Sequence, residues 1–260
     1  MNLCIDVGNT TIGMGFFQNG KLIKRVTYTL DIKKTCDEYI SIIRNIFKEN
    51  DYSFSSLEKI ILSSVVPSVN DPLTNALKEL FSIEPMRIAP GIKTGLTIHV
   101  DNPNEIGNDL IAVMVGAKEQ FGYPLLIADL GTASKILLVD KTGAFVSCVI
   151  MPGLSLSMDS LTNRAALLPE ISLKDPKTIM AKNTVDAINT GVVYGHADMI
   201  SGIIKRYEKQ LGYKCKHVLT GGGAIYVRSV LGDEFIYDPD ICLKGLELII
   251  ERNEVSKNEK

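Results

Sequence analysis

Two strand ends carry the residues whose types could do chemistry. The chain opens MNLCIDVGNTTIGMG, where an apolar run closes on Asp6 and continues through Val7, Gly8, Asn9, Thr10, Thr11, Ile12 and Gly13. The pattern recurs in mid-chain as LLIADLGTASKILLVD, with Asp129, Gly131 and Thr132 in corresponding places. A buried strand should not end on a carboxylate unless something there needs it. Glycine after the carboxylate permits a tight turn and lets the backbone approach a ligand closely. The neighbouring Asn, Thr and Ser add hydroxyls, an amide and N–H donors. One such loop is an ordinary turn. Two in corresponding positions, facing each other across a cleft, can clamp a polyphosphate while their carboxylates hold its metal ion. A third element, LTGGGA (Leu219–Ala224), follows another apolar run. Its glycines let a planar base or ribose lie against the backbone, which suits the adenosine half of ATP. No GxxxxGK[ST] occurs and no GxGxxG follows a strand, so neither a P-loop nor a Rossmann cofactor site is indicated.

The elements around these loops form two similar series. In the first half, strands are expected at Asn2–Val7, up to Phe17, and over KLIKRVTYTL, with Asn19–Gly20–Lys21 as a hairpin turn. Asp37–Lys48 has apolar residues at helical spacing. IILSSVV reads as a buried strand broken by Pro67. DPLTNALKELF reads as a helix capped by Asp71 with Pro72 first, and another helix is expected from about Ile106. The second half restarts with strands LLIADLG, KILLVD and AFVSCVIM. PGLSLSMDSLTNRAALL is expected to be helical, NTVDAINTGVVYGHADMISGIIKRYEKQLG one or two helices, and KHVLTGGGA a strand entering a glycine loop. CLKGLELIIERN is a last helix before a frayed polar tail, EVSKNEK. A duplication of this length means two similar domains, 1–121 and 122–260, with the last helix crossing back to the first. The fold class is α/β.

Composition narrows the rest. The 260 residues are 45% hydrophobic and 22% charged, with a net charge of −2 and no basic cluster, so no nucleic-acid surface is indicated. The five cysteines (Cys4, Cys36, Cys148, Cys215, Cys242) are widely spaced without a CxxC pair, which reads as buried free thiols in a reducing compartment. The three histidines (His99, His196, His217) stand alone, against a zinc hydrolase. No apolar run approaches the roughly 20 residues of a membrane span, and no signal-like segment opens the chain. A cytoplasmic protein is expected, without nucleic-acid or membrane partners.

The motifs together resemble the actin-like ATPase superfamily, and more closely type III pantothenate kinases. IDVGNTTIGMG resembles that family's first phosphate loop, SSVVP (Ser63–Pro67) the motif after it, NPNEIGNDL (Asn102–Leu110) its substrate and base segment, and DLGTA (Asp129–Ala133) its second phosphate loop. PGL, NRAALLP, Asn183–Thr184, TGGGA and GLELIIERN follow in order. The resemblance implies two duplicated actin-like (ribonuclease H-like) domains with a nucleotide cleft between them. It implies ATP-dependent phosphorylation of pantothenate to 4'-phosphopantothenate, the first step of coenzyme A biosynthesis. Asp6 to Gly13 and Thr132 would bind ATP, with Asp6 near magnesium. Asp109 would be the general base. Asp129 would bind a monovalent cation, potassium or ammonium. Val100, Gly107, Asn108, Asp109, Leu110 and Thr184 stand at the acceptor positions, Thr184 reaching the acceptor from the partner subunit of a homodimer.

This chain departs from the pattern mainly on the acceptor side. The segment usually Gly-Ala-Asp-Arg is Gly107–Asn108–Asp109–Leu110, and a leucine cannot replace a guanidinium that pairs with an anion. Val100 stands where a tyrosine is common, and Ser147–Cys148 where a Gly-Gly pair is usual. Lys135 stands in the second loop's continuation, as a substitute cation for phosphate or a solvated strand residue; with Arg164 it is a candidate to compensate for Leu110. Three readings are open: a divergent working pantothenate kinase, a kinase of another small hydroxyl acceptor, and a nucleotide-binding regulator. The survival of Asp6, Asp109, Asp129, Thr132 and Thr184 favours the first.

Overall fold

A computed structural model describes residues 1–89, 91–162 and 171–258. The NRAALLP motif (163–169), with Arg164, lies outside them. The chain forms two compact units: one made of Met1–Leu96, Asn104–Gly116 and the segment from Ile241 on, the other of Thr97–Pro103 and Ala117–Asp240.

The first unit is built on β1 (Asn2–Val7), β2 (Thr11–Gln18), β3 (Lys21–Thr29), β4 (Lys59–Ser64) and β5 (Met86–Arg87). Their order in the sheet is β3-β2-β1-β4-β5. β1 pairs antiparallel with β2 and parallel with β4. The β2–β3 hairpin turns on Asn19 and Gly20, both at positive φ (51° and 71°), the requirement of a two-residue turn that continues the strand twist. One sheet face is covered by α1 (Cys36–Glu49) and α2 (Pro67–Phe81). Ile5, Val7, Ile12, Met14 and Phe16 meet Tyr39, Ile43, Phe47, Leu73 and Leu77 there. α1 starts with a capping box: the Glu38 N–H donates to Thr35 Oγ1, and the Thr35 N–H donates to Glu38 Oε2 at 2.7 Å.

α2 begins five residues earlier than the sequence suggests. Pro67, which ends the strand, also occupies the first helical position, where its missing N–H costs nothing. Asp71 is therefore not a cap, and Pro72 lies inside the helix.

α3 (Asn108–Phe121) and α7 (Ile241–Asn258) complete this unit, the first with its residues up to Gly116. α7 packs on β1, β2 and β4, and it runs to Asn258, so most of the segment expected to fray is helical. Buried Glu247 accepts from Asn2 Nδ2 at 2.9 Å and from the Cys4 thiol. α3 and α7 cross backbone to backbone. A Cβ on Gly245 would overlap the Ala112 carbonyl oxygen, and one on Gly116 would overlap that of Ile241.

The second unit repeats the plan. Its strands are β6 (Thr97–Ile98), β7 (Leu125–Leu130), β8 (Ala133–Val139), β9 (Ala144–Pro152), β10 (Lys216–Thr220) and β11 (Phe235–Tyr237), in the order β11-β10-β7-β8-β9-β6. β7 pairs antiparallel with β8 and parallel with β10, as β1 does with β2 and β4. α4 (Leu154–Thr162), α5 (Thr184–Leu211) and α6 (Ala224–Leu231) bury Met158, Val193, Ile200 and Val227 against Leu126, Ala128, Ile136 and Leu219. α5 is one uninterrupted helix. α6 begins directly after the glycine run, which reads from sequence as loop alone. All five cysteines are free, but only Cys4 is buried; the other four are half-buried.

The α3–α7 crossing gives a stability prediction. Gly245→Ala puts a methyl group into a carbonyl that only backbone movement can relieve, and is expected to cost about 3 kcal/mol. Urea unfolding measures it. An unchanged midpoint would show that the helices separate freely.

Candidate active site

Each unit gathers its motifs at the end of its central strand. In the first unit, Asp6 is half-buried at the penultimate position of β1, with Gly13 as antiparallel partner and Ser63 as parallel partner. Gly8–Asn9–Thr10 connects β1 to β2, and the Gly8 N–H closes the turn on the Thr11 carbonyl at 2.9 Å. Asn9, Thr10 and Thr11 are exposed, while Val7 and Ile12 are buried and hold the loop's ends in the core. The SSVVP segment follows on the neighbouring strand: the Val65 N–H donates to the Val7 carbonyl at 3.1 Å.

IGNDL joins the same cluster. A Cβ on Gly107 would lie 3.9 Å from Val65 Cγ1 and would overlap Asp109 Oδ1. Position 107 thus needs a residue without a side chain if the Asp109 carboxylate is to keep its place. Asp109 is half-buried in the first turn of α3, at the positive end of the helix dipole. The Gly107 carbonyl accepts from the N–H groups of Leu110 and Ile111 at 3.1 and 3.2 Å. Asn108 is half-buried and Leu110 is buried, 8% exposed. Asp6 to Gly13 and Gly107 to Leu110 therefore belong to one unit, joined through Val7 and Val65.

The second unit brings together DLGTA, PGL and TGGGA. The Gly131 N–H donates to the Ala133 carbonyl at 3.2 Å, and the Gly153 N–H to the Thr132 carbonyl at 3.1 Å. A Cβ on Gly153 would overlap the carbonyl oxygens of Gly131 and Thr132. Gly221, at φ 87°, lies so close to Leu130 that a Cβ there would be 2.6 Å from its backbone N and O. The Gly223 N–H donates to the Leu130 carbonyl at 2.8 Å. Two glycine segments thus clamp the loop that carries Thr132, and a side chain on either would displace it.

Asp129 holds the place in β7 that Asp6 holds in β1. Its parallel partner is Thr220 and its antiparallel partner is Lys135. Lys135 Nζ lies 3.2 Å from Asp129 Oδ2, with the two side chains 19% and 13% exposed. The corresponding partner of Asp6 is Gly13, which has no side chain to set beside its carboxylate. The lysine is therefore not a solvated strand residue.

Thr184 and Val100 lie elsewhere in the second unit. Thr184 is exposed at the first position of α5, after Asn183, whose side chain accepts from the Asp186 N–H at 2.9 Å. It lines a cavity of about 1030 Å³ together with Ser157, Ser160, Lys182, His196 and Met199. Neither Asp129 nor Thr132 lines that cavity. Val100 is half-buried just beyond β6.

Sequence reasoning missed a buried polar pair beside the second loop. Ser134 Oγ and His196 Nε2 share a hydrogen bond of 2.7 Å, and both residues are almost fully enclosed. No spacing could announce it, because the partners lie on β8 and α5. It ties the long helix to the strand that carries Lys135.

Comparison with known proteins places these features. The chain resembles component A of the (R)-2-hydroxyglutaryl-CoA dehydratase of Acidaminococcus fermentans over 95% of its length and 94% of that protein's. The TM-score is 0.54 at 14% identity, which fixes the fold. The class is thus the duplicated actin-like α/β fold. The model of the family described as type III pantothenate kinase matches residues 2–206. The chain is 37% identical to a type III pantothenate kinase of Bacillus cytotoxicus over all of its own length and 99% of the relative's. It is 38% identical to that of Listeria welshimeri over 97% of its length and 98% of the relative's. The protein belongs to the type III pantothenate kinase family.

Burial holds the His196 pKa below its ordinary 6.5. The unfolded chain then takes up the proton more readily than the folded one, so this histidine's contribution to stability is complete above about pH 6.5 and erodes as pH falls toward the depressed folded value. Thermal unfolding is expected to show a midpoint that drops on acidification below about pH 6.5, with a shallower drop in His196→Gln. Equal slopes for the two proteins would contradict it.

Proposed function

We propose that this protein transfers the γ-phosphoryl group of ATP to the hydroxyl of pantothenate, with Asp109 as general base. The supporting observation is Asp109 itself: a half-buried carboxylate at a helix start, kept clear by Gly107 and joined through Val65 and Val7 to the loop that follows Asp6. Full-length likeness to type III pantothenate kinases supports the choice of acceptor.

Phosphoryl transfer demands mainly positioning and charge stabilisation. Asp6 to Gly13 and Thr132 bind the nucleotide. Val100, Gly107, Asn108, Leu110 and Thr184 form the acceptor side. Asp109 accepts the proton of the attacking hydroxyl as the phosphoryl group arrives. Asp6 suits magnesium: this ion keeps several waters and needs one or two carboxylates besides the nucleotide's phosphates, and the register partner Gly13 sets no side chain beside the carboxylate. Bound there, it would neutralise phosphate charge. The resemblance also assigns a potassium or ammonium ion to Asp129. That carboxylate already carries the Lys135 ammonium.

We further propose that the protein works as a cytoplasmic homodimer. Leu156, Leu161, Val185 and Met199, on α4 and α5, are each more than a third exposed, which supports a covering partner. Sedimentation at micromolar concentration should give the mass of two chains, and Met199→Glu a shift toward one. A wild-type monomer would refute the dimer.

One observation favours a second reading. Leu110 is buried, so the acceptor's carboxylate lacks the guanidinium usual there. A kinase of a related hydroxyl compound without that carboxylate fits this as well, and pantothenol is a direct probe. In magnesium and ATP, ADP release should depend on pantothenate and exceed that with pantothenol; the reverse order would favour the second reading. Asp109→Asn should lower turnover by about 10²- to 10⁴-fold with nucleotide affinity nearly unchanged. Retained turnover would remove Asp109 as the base.

A further inference from the structure

We infer that the Lys135 ammonium permanently fills the cation position at the second phosphate loop, so that nucleotide binding requires neither potassium nor ammonium. The inference rests on the kinase reading above and deepens it. Its basis is the register of two strands. β7 and β8 set Asp129 directly opposite Lys135, and the ammonium lies 3.2 Å from the carboxylate. Both side chains are largely shielded, unlike an exposed pair that water screens and side-chain entropy opposes.

Two further features hold the lysine in place. Ser134, the preceding residue, is locked to His196. Successive strand residues point to opposite faces, so that anchor fixes the face on which Lys135 must lie. β8 is an inner strand, paired on both edges by β7 and β9, so it cannot slip its register without breaking two ladders.

Asp129 has one negative charge and a tethered positive partner within hydrogen-bond reach. A second cation there would have to displace the ammonium or sit beside it against like-charge repulsion. A free ion occupies a site only as its concentration allows, whereas a tethered one is always present. The corresponding residue of the other half, Gly13, has no such charge, so the second loop has a built-in cation at a register position where the first has none.

Calorimetric titration of a non-hydrolysable ATP analogue, with magnesium, in potassium chloride and in tetramethylammonium chloride of equal ionic strength tests this. Wild-type affinities should agree within about two-fold. Lys135→Ser should bind about ten-fold more weakly in tetramethylammonium and recover in potassium, while Lys135→Arg should remain insensitive to the salt. Wild-type affinity that rises about ten-fold with potassium overturns the inference. So does a Lys135→Ser protein that binds like wild type in both salts. If that variant does not fold, the wild-type comparison decides alone. Absence of binding in every salt overturns the kinase reading and this inference together, whereas binding that needs potassium overturns this inference only.

Discussion

The pairing of each unit's central strand is the constraint on which the rest depends. β1 and β7 are each flanked by one antiparallel and one parallel neighbour, and each delivers its aspartate beside the first residues of the antiparallel neighbour and the last residues of the parallel one. A slip of one residue would turn Asp6 toward α1 and α2 and Ile5 toward the face that α7 covers. The buried runs Leu3–Ile5 and Leu125–Ala128 prevent it, because both faces of each strand are covered and no other register satisfies them. The placement of both aspartates is thus fixed by hydrophobic burial, and the polar residues follow.

Glycine sets the second layer of the arrangement. Gly107 leaves room for the Asp109 carboxylate, and Gly153 and Gly221 let two segments rest against the backbone of 130–132. In each case the missing side chain brings main chain close to main chain, which makes the loops stiff. A stiff loop presents its donors without first paying an ordering cost, which is what electrostatic stabilisation of a transferring phosphoryl group requires.

Much of this was legible in the sequence where local chemistry determines it. The strand–Asp–Gly pattern at Asp6 and Asp129, the Asn19–Gly20 turn and the amphipathic spacing of α1 all follow from neighbours in the chain. Pro67 was ambiguous, since the same residue ends a strand and opens a helix; reading only the first role delayed α2. α6 was hidden because eight residues after three glycines give little helical period. The Ser134–His196 and Asp129–Lys135 pairs differ in kind. They depend on which strand lies beside which and at what register, and no window of sequence contains that. Lys135 could be seen as a candidate cation, but only the register gave it a partner.

The packing of α7 has a bearing on how the chain is made. The helix that covers β1, β2 and β4 begins at Ile241, so the first strand leaves the ribosome long before the element that buries one of its faces. The intervening stretch Ala117–Asp240, by contrast, supplies nearly all of its own unit. Domains generally fold as units during synthesis, the earlier ones first. Here the order of translation and the order of completion are reversed: the second unit can be finished while the first still has an uncovered sheet. The nascent chain must keep Cys4 and the face it shares with Asn2 from other partners until α7 emerges.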